Sequence, residues 1–286
     1  MVRDTLMTAD PTPQDTLRAA ASLVDQPLDL AEVALAFAAM DQPSAPLEHY
    51  RAALAAMVDG VAERLRDLPE GSSAGDQAAC LGQVLSGDLA FKGDTTTYDD
   101  LQNANLIRVI DRHKGLPVAL GILYIHAARS QGWAGEGLNF PNHFLIRVRI
   151  GLDQVILDPF NQGRSMDAPA LHSLIRDMFQ GKGTLTPAAT ESIPDRHVLM
   201  RLQNNIKLRL HQGERFIEAL EVLERMRILA PDLPHLQREA GMINARIGNL
   251  RAAITLLRGY LDDGAGDPTD RHQTAQLLQE MEKRLN

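Results

Sequence analysis

The sequence predicts an α+β fold with a helical N-terminal lobe, a mixed core built on a small antiparallel sheet, and an all-helical C-terminal tail. Three patterns carry that prediction. From about residue 15 to residue 90, apolar residues recur at spacings of three and four, as on the buried face of a helix. Between Phe144 and Leu157 the period drops to two, the mark of half-buried strands. Beyond about residue 195 the helical period returns, with an internal echo 34 residues long.

In the lobe, Leu17, Ala20, Ala21 and Val24 share one face, and Leu30, Val33, Ala34, Phe37 and Ala38 share the next. Pro43 and Pro46 separate these from a longer amphipathic helix over 47–68, with Leu54, Met57, Val58, Val61 and Leu65 on its apolar side. Residues 69–75 form an exposed loop. A fourth helix over 76–90 places Cys80 among Leu81, Val84 and Leu85, so its thiol faces the core. Phe91-Lys92-Gly93-Asp94 ends that helix, and a polar approach over 99–105 leads to a short helix over 106–110.

After Gly115, Pro117 suits the first turn of a helix, where its missing N–H would have no intrahelical partner. The run 118–130 is apolar on nearly all sides and predicts a buried central helix. A short strand over 135–140 follows. Phe144, Ile146, Val148 and Ile150 then alternate with Leu145, Arg147 and Arg149, residues 151–153 turn, and 154–157 return as the second strand of a hairpin. Pro159 ends the strand because it cannot donate to a ladder. A helix over 169–180 and a Gly/Thr/Pro-rich linker over 181–194 close the core. The expected divisions are therefore 1–90, 91–194 and 195–286.

In the tail, Gly213, Ala219, Leu220, Leu223 and Pro231 are echoed by Gly248, Ala253, Ile254, Leu257 and Ala265, with both Ala219/Ala253 and Leu223/Leu257 offset by 34 residues. That is the tetratricopeptide period. Gly241 occupies the small-residue position of its repeat, although Lys207 stands there in the repeat before, and the customary aromatic positions are not aromatic. A plain helical tail capping the core is the alternative, because helix packing alone also selects small residues. Two repeats are fewer than a free-standing array needs, so the tail is expected to pack on the preceding domain.

Composition narrows function by exclusion. The chain has 286 residues, 44% of them apolar, which is enough for a substantial core. Lys and Arg total 29 against 37 Asp and Glu, a formal charge of -8 with no cationic cluster, which argues against nucleic acid as partner. Residues 1–6 carry an early acid and no apolar run of a secretory signal, and no later segment is apolar for long enough to span a bilayer. One cysteine excludes an intramolecular disulfide, and the cytoplasm is the expected compartment.

The chemistry-bearing residues lie between 115 and 164. Thiol catalysis needs a thiolate, an imidazole to hold its proton and a third group to fix the imidazole. A helix N-terminus lowers the thiol pKa. Here a helix start, His143 and Asp158 occur in that order, but the helix start holds Pro117 and no cysteine. His143 and Asp158 flank the hairpin and should meet at one end of adjacent strands, where opposed Cβ atoms lie about 4.5 to 5.5 Å apart; a register shift would make them diagonal. Asn161 and Arg164 follow the Asp158 turn and are placed on the rim of the same cleft, with capping of the next helix as the alternative. Cys80 reads as a buried, unreactive thiol. No metal site is expected, since His126 reads as a core histidine and His113, His172 and His197 fall in no ligand spacing; no cofactor is expected either.

One set of residues carries a resemblance. Phe91-Lys92-Gly93-Asp94, the run from Asp111 to Pro117, Tyr124, Gly132, the run from Asn139 to Leu145, and Asp158-Pro159-Phe160-Asn161 make the segment 91–164 similar to the transglutaminase-like (papain-like) core of the SirB-type family of bacterial proteins. The resemblance implies a helical segment before the core and tetratricopeptide-like helices after it. It also implies that the catalytic cysteine of the wider superfamily, which follows a Gly-x pair at the start of the central helix, would stand where Pro117 stands. The expectation is thus a non-catalytic protein with a remnant dyad of His143 and Asp158, acting as a protein-interaction or regulatory module. Its partner would be a protein or peptide, polar or basic to suit the acidic chain. The rival is a cysteine-type amide hydrolase or transamidase using Cys80 or a water activated by His143. A purely structural subunit is the third reading.

Overall fold

A computed structural model describes residues 11–24, 26–264 and 266–285. The expectation about residues 1–6 lies outside them. Helix α1 (Pro13–Ser22) begins with a reciprocal capping box between Thr12 and Asp15, and Pro13 occupies its first turn. Leu17 and Ala20 are buried as expected, but Val24 lies beyond the helix end and is exposed, so the apolar face stops short of it. Helix α2 (Leu30–Asp41), capped by the Asp29 carboxylate, buries nearly every side chain and forms the centre of the lobe. Helix α3 (Leu47–Arg66) packs beside it, and α4 (Ala74–Gly82) packs on α3 and runs on as a π-helical turn over Gln83–Asp88. In that turn Ser86 Oγ sits 2.8 Å from the hydroxyl of Tyr124.

The segment expected only to end a helix does more. Strand β1 (Lys92–Gly93) pairs in parallel with β2 (Lys114–Gly115), on either side of the short helix α5 (Leu106–Arg112). Two-residue strands leave no periodicity to read. Asp94, just beyond β1, is buried, accepts bonds from Thr96 and Thr97, and meets Arg112 at 3.0 Å. Helix α6 (Pro117–Ser130) runs from β2 through the middle of the molecule with Pro117 at its first turn, and eleven of its fourteen residues are buried.

Five strands form the second sheet: β3 (Ala134–Leu138), β4 (Ile146–Ile150), β5 (Asp153–Asp158), β6 (Arg164–Ser165) and β7 (Ser192–Ile193), antiparallel throughout in the order β6-β5-β4-β3-β7. Phe144, Ile146, Val148 and Leu157 join the core shared with α6, while Leu138 and Leu145 join a smaller cluster with Leu171 and Ile175 of α7 (Ala168–Met178). The approach to α6 is close. A Cβ at Gly121 would lie 2.4 Å from the Phe144 ring, so only glycine lets Phe144, the neighbour of His143, seat there. The segment 181–194, expected as a linker, contributes β7 to the sheet edge and a 3-10 turn at Pro187–Thr190; both are too short to show in its Gly/Thr/Pro-rich composition.

The tail comprises α8 (Asp195–Gln212), α9 (Phe216–Leu229), α10 (Pro234–Arg246), α11 (Leu250–Asp262) and α12 (Pro268–Leu285), each packed on the next in sequence. Gly241 lets α10 approach α11 so closely that a Cβ there would fall 2.5 Å from Leu257. Lys207, at the matching position of the first repeat, is buried and ion-paired with Glu239 of α10. The tail docks on the rest of the molecule. Helix α8 packs against α2 and α6, α9 packs against α1, and one hydrophobic cluster runs through all of them. At the first turn of α8, Asp195 takes both arms of Arg129 from α6 at 2.7 and 2.8 Å and also accepts the Leu28 N–H; Arg129 in turn donates to the carbonyls of Leu28 and Gly135. Lobe, core and tail thus meet on one ion pair.

Candidate functional site

His143 stands in the loop between β3 and β4, next to Asn142, whose φ of 53° turns the chain. Ile146 pairs with Leu157, so the register places Asp158 opposite Leu145 and leaves His143 two residues further on. The two side chains meet diagonally. His143 Nε2 lies 3.0 Å from Asp158 Oδ1, with Asp158 fully buried and His143 nearly so. An ionised carboxylate can only accept, so Nε2 donates to Asp158, and Nδ1 bonds no atom among the described residues.

Asp158 is held by its own turn as well. Its Oδ1 accepts the N–H groups of Phe160 at 3.1 Å and Asn161 at 3.3 Å, and its Oδ2 accepts Asn161 Nδ2 at 2.7 Å. Burial pushes this carboxyl upward, but the bonds from His143 and Asn161 outweigh it and leave the pKa below the ordinary value. A carboxyl whose pKa falls on folding stabilises the folded state above its unfolded pKa, and that contribution disappears as the pH drops through the lowered folded value. Asp94 is shifted in the same direction, chiefly by the Thr97 backbone N–H. Resistance to denaturant is therefore expected to fall below about pH 4, and less steeply in Asp158→Asn than in the wild type. Parallel slopes in chemical denaturation between pH 5 and pH 2.5 would contradict this assignment.

The start of α6 reaches the same place. Leu116, Pro117 and Val118 share with His143 the wall of an open cleft of about 550 Å³. None of the three carries a nucleophilic atom. Cys80 lies on α4, fully buried, with its sulfur 3.6 Å from the Asp76 carbonyl and its pKa raised by burial; it does not line the cleft. The other wall comes from the tail: His197, Arg201, Asn204 and Leu208 of α8, Met226 of α9 and His235 of α10. Arg201 joins the two walls. Its Nη2 donates to the carbonyl oxygens of Phe140, at 2.9 Å, and of His143, and its guanidinium lies 5.4 Å from the centre of the Phe144 ring.

Two expected rim residues are elsewhere. Asn161 does not line the cleft; it holds Asp158 from the far side. Arg164 pairs with Asp158 along the β5–β6 ladder, and its exposed side chain reaches Met166 Sδ at 3.4 Å, away from the cleft. Both follow Asp158 in sequence, but the turn carries the chain behind the dyad. The residues missed are those of α8. His197, Arg201, Asn204, Asn205 and Leu208 fall at helical spacing on one face, a stripe that together with a tail packed on the core could have marked a second wall. Although the chain is acidic overall, no carboxylate among the described residues lines this cleft. Among the described residues no group of three His, Cys, Asp or Glu side chains could hold a metal ion. No helix among them is long and apolar enough to cross a membrane.

A helix start and a loop histidine at one cleft, with a buried aspartate bonded to the histidine and helical hairpins forming the opposite wall, define a transglutaminase-like protein with a tetratricopeptide tail. Comparison with known families agrees. Residues 48–204 match the transglutaminase-like superfamily, and residues 206–279 match a tetratricopeptide repeat family. The first match spans more than half of the chain, which therefore belongs to the transglutaminase-like superfamily. Among its relatives, a protein of Xylella fastidiosa strain Temecula1, named UPF0162 protein, is 28% identical over 84% of this chain and 86% of its own length. A UPF0162 protein of Vibrio cholerae is 28% identical over 62% of this chain and 66% of its own length. F-box only protein 21 of Mus musculus is 31% identical over 33% of this chain and 16% of its own length. These similarities agree with the SirB-type resemblance read from the residues.

Proposed function

We propose that this protein is a non-catalytic, transglutaminase-like interaction module that binds a protein or peptide in the cleft between its core and its tetratricopeptide tail. The observation that carries the reading is Pro117. The dyad is assembled and its aspartate held, yet the helix start beside it offers no atom able to attack a carbonyl. The tail supports a binding role, since tetratricopeptide repeats generally mediate protein–protein contact. A lone reduced thiol is in keeping with the cytoplasm, where we place the protein. We propose lobe, core and tail over 1–90, 91–194 and 195–286 as segments of one packed body, since the hydrophobic core crosses both divisions.

One observation favours the rival enzyme, the unbonded Nδ1 of His143, which could accept a proton from water. The deciding experiment is turnover of a broad panel of amide and glutamine substrates by the wild type, Cys80→Ala and His143→Ala. The proposal expects none from any of the three. Turnover by the wild type that disappears in either variant overturns it.

A further inference from the structure

Arginines elsewhere in the molecule that are mostly covered by protein have acids to face. Arg129, Arg209 and Arg238 each lie within 3.1 Å of a carboxylate oxygen, and Arg225 pairs with Asp41. Arg201 breaks the rule. It meets no carboxylate among the described residues; one of its nitrogens is spent on the Phe140 and His143 carbonyls, and Nε and Nη1 bond nothing there. Burial without a counter-charge holds this guanidinium below its usual range, a cost that an arriving anion would relieve.

The surroundings repeat the message. In a chain of formal charge -8, the cleft wall contains one arginine, three histidines and no acid. Asn142 and Asn204 line it with side-chain amides that make no bond among the described residues, and an unbonded amide can both donate to and accept from a peptide backbone. Apart from Asn205 and Tyr98, the remaining wall, including Leu116, Leu208, Met226 and Leu233, is apolar. A volume of about 550 Å³ lies within the range of small-ligand and short-peptide sites.

We infer that the cleft takes a carboxylate-bearing peptide, with the carboxylate on the free edge of Arg201, the backbone on Asn142 and Asn204, and apolar side chains against the tail helices. A single guanidinium matches a single negative charge, which favours a carboxylate over the two charges of a phosphate. The inference rests on the reading of the cleft as a binding site and supplies the chemistry of its occupant.

Fluorescence anisotropy on the full chain tests it with four labelled pentapeptides of alternating leucine and alanine. One has a free C-terminal carboxylate, one is its C-terminal amide, and two are amides carrying glutamate or glutamine at the centre. At least one carboxylate probe is expected to bind about tenfold or more tighter than its neutral counterpart, and the better of the two tells whether the terminus or the side chain is read. Arg201→Gln should abolish that preference. Asn204→Asp should abolish it too by supplying an internal acid, and because the Asn204 side chain bonds nothing among the described residues this variant keeps the fold. Equal binding of acidic and neutral probes, a preference that survives Asn204→Asp, or displacement by inorganic phosphate at lower concentration than by acetate overturns the inference while leaving a binding cleft in place. Failure of every probe to bind overturns both.

Discussion

Asp158→Ala lowers the stability of the protein by about 3 kcal/mol, the scale set by orphaning several buried donors at once. Four donors lose their acceptor: the His143 ring N–H, the backbone N–H groups of Phe160 and Asn161, and the Asn161 amide. The exposed Asn161 side chain rehydrates at little cost, whereas the ring N–H faces a site where Asp158 is fully covered. A methyl group in place of the carboxylate also leaves a small void. Asp158→Asn keeps the shape and one acceptor oxygen, so it should lose less. Thermal and denaturant unfolding of the two variants check this, and an alanine variant as stable as the wild type would remove Asp158 from its structural role.

Asp195→Ala is expected to cost a similar amount, about 3 kcal/mol, at the low end for breaking a buried ion pair because Arg129 keeps partial contact with solvent. The effect should be located as well as large. Arg129 would lose both carboxylate bonds and Leu28 its acceptor, so the lobe, α6 and the start of α8 lose their shared anchor. Hydrogen exchange should rise first in α8 and in the segment around Leu28. Because α8 forms the second wall of the cleft, ligand binding should weaken along with docking. Uniform exchange across the chain, or unchanged exchange in α8, would show that apolar packing alone seats the tail.

The sequence reaches some of this site and not the rest, for reasons that lie in the range of each interaction. The meeting of His143 and Asp158 is a hairpin property. Their separation of 15 residues around a tight turn restricts them to opposed or diagonal positions, and the register chooses the diagonal. Pro117 is likewise local, since its first-turn preference is intrinsic. Arg201, His197 and His235 are different, because they reach the cleft only through docking of the tail, and nothing near them in sequence points to His143. Net charge is a poor guide for a similar reason. It sums over the whole surface, while the cleft is set by which side chains face it. The parallel β1–β2 pair and the π-helical turn at Gln83–Asp88 escape because each is too short to impose a period of its own.

We propose that Pro117 stands where a nucleophile would stand, so that the fold keeps the cleft and lacks the attack. The most direct measurement is the pH dependence of alkylation of Pro117→Cys in a Cys80→Ala background, with and without His143→Ala. Losing proline at the first turn only restores an N–H that needs no intrahelical partner, so the helix survives the change. The introduced thiol is expected to titrate clearly below the ordinary value of about 8.5 and to return toward it when His143 is removed. A thiol of ordinary pKa that is indifferent to His143 would contradict it.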